Sequence, residues 1–372
     1  MTNDLDVLYL EDDLNDIDTF NSTIKKYNVE NQQKKVTVRV CKTLEELQNV
    51  LSDRNNVFDG IIIDIKLNNE FGKGNETTDI VELLLLRVPC IAYTGTPDDV
   101  YSELILKKFT KGASSIEEVL DYLYDIKQTG LMELLGNKGI LEKYLSKIYA
   151  QSIKSNITNW IECGKKKPAI VANSMLRHVA YCITELIDKD YENSLAAEAY
   201  ISPNISKSIT TGTILRENDT QDLYIILSPE CDLVIRKDTQ KPKTDCVLLC
   251  KIDSLKKHEK IKNISNSSNT NFNKIKAFTS NSSGNFYHFL PKTNLFDDSL
   301  VNFRKVKNIP YEEIDAHFTN LCKTAYPYTK DILSRFSTYY SRQGQPDFYF
   351  DDIATEIMNE LINSNVQSNG SS

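Results

Sequence analysis

Short apolar runs alternate with amphipathic segments over the first 128 residues of the chain. Five runs have the length and composition of β-strands and cover residues 7–10, 34–43, 59–67, 89–94 and 108–111. Segments with helical periodicity follow them at about 14–27, 44–51, 79–87, 98–107 and 115–127. This alternation predicts an α/β fold in which helices cover both faces of a doubly wound, five-stranded parallel sheet.

The third strand, 59–67, has the sequence DGIIIDIKL. An unbroken apolar run of this length, bounded by turn residues, is typical of a strand buried on both faces of a parallel sheet. The run ends on Asp64. Ligands of doubly wound sheets bind outside the carboxyl ends of the strands, so a carboxylate at this position indicates a site.

Polar side chains end three other strands as well. Acids at 11–13 follow the first strand, Thr94 ends the fourth and Lys111 ends the fifth. Because the carboxyl ends of parallel strands meet at one edge of the sheet, we expect these groups to converge on Asp64. Four acids in one place repel one another unless a positive charge lies among them.

A hard divalent cation, Mg²⁺ or Mn²⁺, relieves this repulsion because such ions prefer oxygen ligands. The expected ligands are Asp12 and Asp64, with the backbone carbonyl of Lys66 close by and Glu11 or Asp13 acting through water. The predicted cofactor is therefore a divalent cation at the end of the third strand.

With its charge offset by the cation, Asp64 is a candidate nucleophile toward a phosphoryl group. The cation, Thr94 and Lys111 would hold the three phosphoryl oxygens as charge spreads over them. The predicted chemistry is the formation of an aspartyl phosphate.

The motifs EDD, IIIDI, YTG and FTKG follow one another over residues 1–128 and resemble the landmarks of the receiver domain of two-component response regulators. The resemblance implies a flavodoxin-like fold, a histidine kinase as phosphodonor and a set of site residues: the phosphoacceptor Asp64, the metal ligands Glu11, Asp12, Asp64 and Lys66 (backbone carbonyl), the switch hydroxyl Thr94 and the phosphate-pairing Lys111. It also places Lys66 and Thr96 where side chains influence the access of water and hence the lifetime of the phosphoryl group.

Two residues depart from the family pattern. Gly112 stands where the family usually has proline after the lysine, and Lys108 takes the place of a common aromatic residue. The phosphorylation site is complete by sequence, whereas conventional signalling through an aromatic switch is not expected. The phosphoryl group is then either recognised in a way that does not use the aromatic switch, or only stored on the protein.

The pattern changes twice after residue 128. Long apolar faces at helical spacing predict a helical connector over 129–200, and the period then becomes that of strands. Residues 201–362 are expected to form a mainly β, barrel-like domain of the α+β type. Within it, 254–284 is rich in Lys, Asn and Ser and is predicted to be a mobile insertion, and 363–372 a disordered tail.

Two groups in this part are candidates for chemistry. His178 lies beside apolar residues on a predicted helix, where a core or interface histidine is commoner than a phosphorylated one. Cys231, Asp232 and Arg335 form a second candidate site, in which the thiol would act on nucleic acid or nucleotide with His288 or His317 recruited in space. A buried structural turn is the competing interpretation of Cys231.

Composition limits the function classes. A net charge of −8 and a pI near 5.3 argue against a general nucleic-acid-binding surface. The eight cysteines include no Cys-x-x-Cys pair, and the chain has neither a signal peptide nor an apolar run near twenty residues. We therefore expect a cytoplasmic protein that does not span a membrane.

The C-terminal motifs SPECDL, YHFLP, LVNFRKV and RFSTYYSRQGQPDF, joined to the receiver-like part, resemble the receiver proteins of bacterial anti-phage defence systems built from two-component parts (Detocs-like). This resemblance implies a phosphoacceptor that receives its phosphoryl group from a sensor histidine kinase and acts as a regulator or phosphate buffer. The C-terminal region would bind an effector or mediate self-association. Such a protein is not expected to be an enzyme, except that it slowly hydrolyses its own phosphoryl group. The alternatives are a receiver-controlled effector acting through the β domain and a docking adaptor without phosphoryl chemistry.

Overall fold

The computed structural model describes residues 4–32, 34–53, 55–67, 88–99, 104–136, 138–187, 194–206, 208–342 and 347–369. The chain divides into two compact units, Met1–Tyr191 and Glu192–Ser372. The helices predicted as a connector belong to the first unit together with the sheet. The helix predicted at 79–87 lies outside the described residues.

The first unit contains the predicted five-stranded parallel sheet. Its strands are β1 Leu5–Leu10, β2 Val36–Cys41, β3 Gly60–Ile63, β4 Cys90–Thr94 and β5 Ile105–Thr110, and its flanking helices are α1 Leu14–Glu30, α2 Leu44–Ser52 and α3 Ile116–Gln128. The strand order is β2-β1-β3-β4-β5, and every pairing is parallel. This is the flavodoxin-like order, and the chain reverses direction across the sheet between β1 and β3, where such folds bind their ligands.

Alternate residues of β1 and β3 belong to two separate cores. Val7, Tyr9 and Ile62 pack with α1 and α3, whereas Leu8 and Ile61 pack with α2 on the other face. Because both faces are buried, every residue of β3 is apolar or glycine and the usual alternation of a half-exposed strand is missing. The prediction of a buried central strand is confirmed.

The fifth strand begins earlier than predicted. Pro97–Asp99 forms a 3₁₀ turn and β5 starts at Ile105, so the helix predicted for 98–107 is wrong over its last residues. β5 lies at the edge of the sheet, and Leu106, Lys107 and Lys108 are exposed there. A half-exposed edge strand mixes apolar and lysine residues, and this short pattern does not distinguish a strand from an amphipathic helix.

Helices complete the first unit: α4 Leu131–Leu135, α5 Ile140–Ile148, α6 Ile157–Lys166 and α7 Pro168–Ile187. A π-helical turn, Tyr149–Ile153, continues α5. Among the described residues, no helix is long and apolar enough to cross a bilayer.

The second unit is built on a seven-stranded antiparallel sheet that curls into a half-barrel. Its strands are β6 Tyr200–Ile201, β7 Thr213–Glu217, β8 Leu223–Ile226, β9 Cys246–Ser254, β10 Tyr287–Leu290, β11 Ser299–Pro310 and β12 Phe318–Thr324, in the order β10-β11-β9-β8-β7-β12-β6. Its helices are α8 Glu230–Leu233, α9 Asn269–Thr279, α10 Ile314–His317, α11 Tyr326–Tyr340 and α12 Phe350–Asn369. The predicted α+β, barrel-like class is confirmed.

Two segments predicted to be mobile or disordered contain helices, and their mobility stays a prediction. The stretch predicted as a mobile insertion, 254–284, contains α9, whose Phe278 packs with Leu255 and Leu300 in a small core. Helix α12 extends to Asn369, well into the tail predicted to be disordered. In the first case one buried aromatic residue anchors a segment that is polar on average, which composition does not reveal.

The buried His288 of β10 makes the stability of the second unit depend on pH. It is 5% exposed, and burial lowers its pKa from 6.5 to about 4 although Asp331, with an oxygen 3.5 Å from Nδ1, acts in the opposite direction. Between these two values the unfolded chain binds a proton that the folded chain does not, so stability is lost as the pH falls.

As the pH falls from 6.5 to 4, we predict that protonation of His288 lowers the free energy of unfolding by up to about 3 kcal/mol. His288→Gln should remove this part of the pH dependence. Urea unfolding of both proteins at several pH values measures it. Identical pH dependence in the wild-type protein and the variant would show that His288 is not the source.

Candidate functional site

The loop between β1 and α1 places a buried acid next to the switch point of the sheet. Glu11 follows β1 directly and is 1% exposed. Its carboxylate accepts hydrogen bonds from the Tyr9 hydroxyl and from the Asp13 backbone N–H, each at 3.0 Å. Burial raises the pKa of Glu11, while its hydrogen bonds with Lys111 and with the Asp13 N–H act in the opposite direction. Glu11 is therefore held rigidly and depends on a nearby positive charge to remain ionised.

Asp64 is held at the carboxyl end of β3 by its own backbone. Its N–H donates to the Leu10 carbonyl at 2.9 Å, which ties it to the end of β1. Oδ1 of Asp64 accepts a hydrogen bond from the Lys66 N–H at 3.2 Å. The residue is 7% exposed, so its carboxylate is oriented and largely enclosed but still reaches the surface.

Lys111 connects these acids. Its N–H donates to the Thr94 carbonyl, and its Nζ lies 2.5 Å from Glu11 Oε2, 2.6 Å from Asp16 Oδ2 and 2.7 Å from Asp64 Oδ2. Burial alone would lower the pKa of Lys111, but the hydrogen bonds to the three carboxylates outweigh burial and raise it. The ammonium is therefore charged at every physiological pH.

Asp16 is a site residue that the sequence did not indicate. It lies in the first turn of α1, where Asp13 is the N-cap and accepts hydrogen bonds from the N–H groups of Asn15 and Asp16. Side chains in a first turn lean toward the amino end of the helix, which brings the Asp16 carboxylate back to the sheet edge. The position of the cap at Asp13 is the signal that identifies Asp16, because it fixes where the helix begins.

Three carboxylates form a group suited to a cation. Oxygens of Glu11, Asp16 and Asp64 all lie within 4.8 Å of one another. Hard oxygen donors at this spacing fit Mg²⁺ or Mn²⁺, and the net charge of the three acids with Lys111 leaves a double negative charge for a divalent ion to balance. Asp12 lies half-buried in the same loop but its carboxylate is not part of this group. The prediction of Asp12 as a ligand therefore stays a prediction.

Two hydroxyl residues, Thr94 and Thr96, lie at the carboxyl end of the fourth strand and just after it. Thr94 ends β4 and is 1% exposed, and its Oγ1 accepts a hydrogen bond from the Thr96 N–H at 3.4 Å. Among the described residues, Oγ1 of Thr96 has no hydrogen-bond partner. The side chain of Lys66 is exposed. The structure thus brings Asp64, Thr94 and Lys111 to the adjacent ends of β3, β4 and β5.

Gly112 and Lys108, the two residues that depart from the receiver-domain pattern, differ from that pattern in backbone conformation and in burial. Gly112 has a φ of +83°, a conformation that favours glycine and that proline cannot adopt. Lys108 is exposed on the edge strand, and the neighbouring Phe109 is buried instead, with its ring in an edge-to-face contact with Tyr122. The chain after Lys111 therefore turns in a way that the proline of the family pattern would forbid.

The candidate site in the second unit is not assembled. Cys231 is exposed with its Sγ 3.6 Å from an oxygen of Asp232, which pairs with Lys243. Arg335 donates to the carbonyls of Asn281 and Tyr287.

The two parts lie on opposite faces of the curled sheet. Leu233, beside Cys231, packs with Leu215 in one core, whereas Ile332 of the Arg335 helix packs with Ile214 in the other. Consecutive strand residues point to opposite faces, so the sheet separates Cys231 and Asp232 from Arg335. His288 does not complete the site either, because it is buried beside Asp331.

Comparisons with known proteins give similarity in the first third of the chain. No protein-family model matches, and no curated protein matches. The chain is similar to the receiver domain of a Francisella response regulator, with 20% identity over 34% of this chain and 98% of that chain and a TM-score of 0.27. It is also similar to a CheY-like response regulator receiver domain from Methylobacillus flagellatus, with 16% identity over 32% of this chain and 98% of that chain and a TM-score of 0.25. The receiver domain of the hybrid histidine kinase CckA is similar to it with 15% identity over 32% of this chain and 97% of that chain and a TM-score of 0.23.

We predict that Lys111→Met binds Mg²⁺ about tenfold or more tightly than the wild-type protein, because a like charge beside the carboxylates opposes the cation. Asp16→Asn should weaken binding, since it removes one of the three grouped carboxylates. Isothermal titration calorimetry measures both effects, with Asp18→Asn, an exposed acid on the same helix, as the matched control. Unchanged affinity in both Lys111→Met and Asp16→Asn would contradict this assignment of the cation site.

Proposed function

We propose that the protein is a response-regulator-like phosphoacceptor, which takes a phosphoryl group from a histidine kinase onto Asp64. The observation that supports this most is the contact of 2.7 Å between Lys111 Nζ and Asp64 Oδ2, at the switch point of a flavodoxin-like sheet and beside two further carboxylates. An acceptor carboxylate needs a fixed orientation and a cation that partly neutralises it, and Asp64 has both.

In the proposed transfer, an oxygen of Asp64 forms a bond to phosphorus while the bond between phosphorus and the donor's imidazole nitrogen breaks. The electron pair of the broken bond stays on that nitrogen, which then holds a proton from solvent. Lys111 Nζ and the Thr94 hydroxyl bind oxygens of the transferred group as its charge develops. A divalent cation on the Glu11, Asp16 and Asp64 carboxylates would supply further positive charge at the same oxygens.

The protein's own residues prepare Asp64 for this reaction. The N–H of Lys66 holds Oδ1 at 3.2 Å, so the carboxylate plane is fixed before the donor arrives. Lys111 lies on Oδ2, and after transfer the same ammonium pairs with the phosphoryl group, which has more negative charge than the carboxylate that it replaces. The backbone link between Lys111 and Thr94 keeps the two binding groups in register.

We place this activity in a bacterial two-component system of the anti-phage, Detocs-like type, in the cytoplasm, where the protein acts as regulator or phosphate buffer. The C-terminal motifs support the system, and Lys108 and Gly112 support a buffer, because the aromatic switch residue and the proline of ordinary output signalling are replaced. In this role the protein is a substrate of its kinase and has no enzymatic activity except slow loss of its own phosphoryl group. Lys66 and Thr96 are the proposed determinants of that rate.

We predict that incubation with acetyl phosphate and Mg²⁺ adds one phosphoryl group to the wild-type protein and none to Asp64→Asn, because only the ionised Asp64 carboxylate is the nucleophile. Intact-mass spectrometry measures the gain. Asp18→Asn is the matched control and should be labelled like the wild-type protein.

Labelling of Asp64→Asn to the wild-type extent would refute Asp64 as acceptor. A wild-type protein that gains no mass under these conditions, and an Asp64→Asn variant with full function in cells, would together favour the docking adaptor.

A further inference from the structure

A cleft of about 820 Å³ lies at one end of the antiparallel sheet in the second unit. It is lined by the start of β8, the end of β9 with the turn that follows, and the first half of β11. Small-molecule sites usually have volumes of about 300–1,000 Å³, so the cleft has room for an organic ligand and not only for an inorganic ion. None of the residues proposed for phosphoryl transfer lies in it.

The wall that β11 contributes is a bulge in its pairing with β9. Two paired positions that are two residues apart on β9 are five residues apart on β11, so the four residues 302–305 stand opposite the single residue Lys251. Bulges redirect side chains and are frequent beside binding sites. Arg304 and Lys305 of this bulge both line the cleft.

Asn302 fixes the shape of the bulge. It is 4% exposed, its side-chain amide donates to Asp253 Oδ2 at 2.8 Å, and its Oδ1 accepts from the Arg304 N–H at 3.2 Å. The guanidinium of Arg304 stacks on Phe286, with its central carbon 3.5 Å from the ring centroid. Stacking holds a guanidinium by its face and leaves the N–H donors at its edge for a ligand.

The charges that line the cleft are paired except for two cations. Within the described ranges, Lys257 and the guanidinium of Arg304 contact no carboxylate. Burial lowers the pKa of His258 from 6.5, so its ring adds no charge at pH 7. Each of the four carboxylates in the lining lies against a lysine: Asp222 with Lys251 at 2.5 Å, Asp253 with Lys305 at 2.9 Å, Glu259 with Lys262 at 2.7 Å and Asp297 with Lys256 at 3.2 Å. The cleft therefore has an excess of two positive charges.

Aromatic rings form another part of the lining. Tyr287, half-buried at the start of β10, is in edge-to-face contact with His258, with the ring centroids 5.3 Å apart, and Phe296 is half-buried in the same lining. Aromatic side chains bind nucleobases and other planar rings by stacking. The half-buried Ser254 hydroxyl also lines the cleft and makes no hydrogen bond to the part of the chain that the structure describes, so it is free to bind a polar ligand.

An anion with two charges and a planar ring matches these features. A phosphate monoester has a charge of about −1.5 to −2 at pH 7. A guanidinium binds two phosphate oxygens at once, and a lysine adds a point charge. We propose that the cleft binds a nucleoside monophosphate, with its phosphate on Arg304 and Lys257 and its base against the aromatic rings. The proposal holds whether or not Asp64 accepts a phosphoryl group, and it gives the second unit a ligand-binding role.

Isothermal titration calorimetry of the full-length protein tests the proposal, with AMP, GMP, CMP and UMP as ligands. EDTA is present, so that no cation links a nucleotide to the carboxylates of the first unit. At least one nucleotide should bind with one-to-one stoichiometry and at least about tenfold more tightly than its nucleoside or inorganic phosphate, because each of these makes only part of the contacts. Lys257→Gln and Arg304→Gln should each weaken this binding about tenfold, since each removes a cation from the phosphate.

Lys292→Gln is the matched control, because Lys292 is an exposed lysine of the same unit that does not line the cleft. It should bind the nucleotide as the wild-type protein does, and far-UV circular dichroism verifies that all three variants are folded. The proposal is overturned if none of the four nucleotides binds more tightly than inorganic phosphate. It is also overturned if a nucleotide binds with unchanged affinity to both Lys257→Gln and Arg304→Gln, which would locate the ligand elsewhere in the chain.

Discussion

The contact of one ammonium group with three carboxylates is the interaction on which the first unit depends. Lys111 Nζ lies within 2.7 Å of oxygens of Glu11, Asp16 and Asp64. Burial and mutual repulsion both disfavour ionised acids in such a place, so the group is stable only with positive charge among them. Lysine supplies one charge, and two negative charges remain that suit a divalent cation. The group that stabilises the acids is thus the same group that touches the proposed phosphoacceptor.

The parallel sheet makes this contact by bringing together residues far apart in sequence. Glu11 follows β1, Asp64 follows β3 and Lys111 follows β5, and all three strands end at one edge. No comparable convergence occurs in the second unit for Cys231, Asp232 and Arg335, because the curled sheet lies between them. The proposed phosphoryl transfer therefore uses residues of the first unit.

The sequence predicted the parts of the site that depend on strand ends, and missed the part that depends on where a helix begins. Asp64 and Lys111 were identified because a buried strand of a parallel sheet must end at the ligand edge. Asp16 was missed because its place in the site requires knowing that Asp13 caps α1. Packing between residues far apart in the chain could not be predicted from the sequence either. Phe278 anchors α9 in a segment whose composition alone predicts mobility.

In the proposed function, Asp64 accepts a phosphoryl group that Lys111 then holds. A crystal structure of the full-length protein with Mg²⁺ and beryllium fluoride, which mimics a phosphoryl group on a carboxylate, tests it most directly. We expect beryllium bonded to an oxygen of Asp64, with Lys111 Nζ moved from Asp16 to a fluoride and the Thr94 hydroxyl on another fluoride. An Asp64 carboxylate without beryllium, with Lys111 still in contact with all three acids under saturating Mg²⁺ and beryllium fluoride, would contradict it.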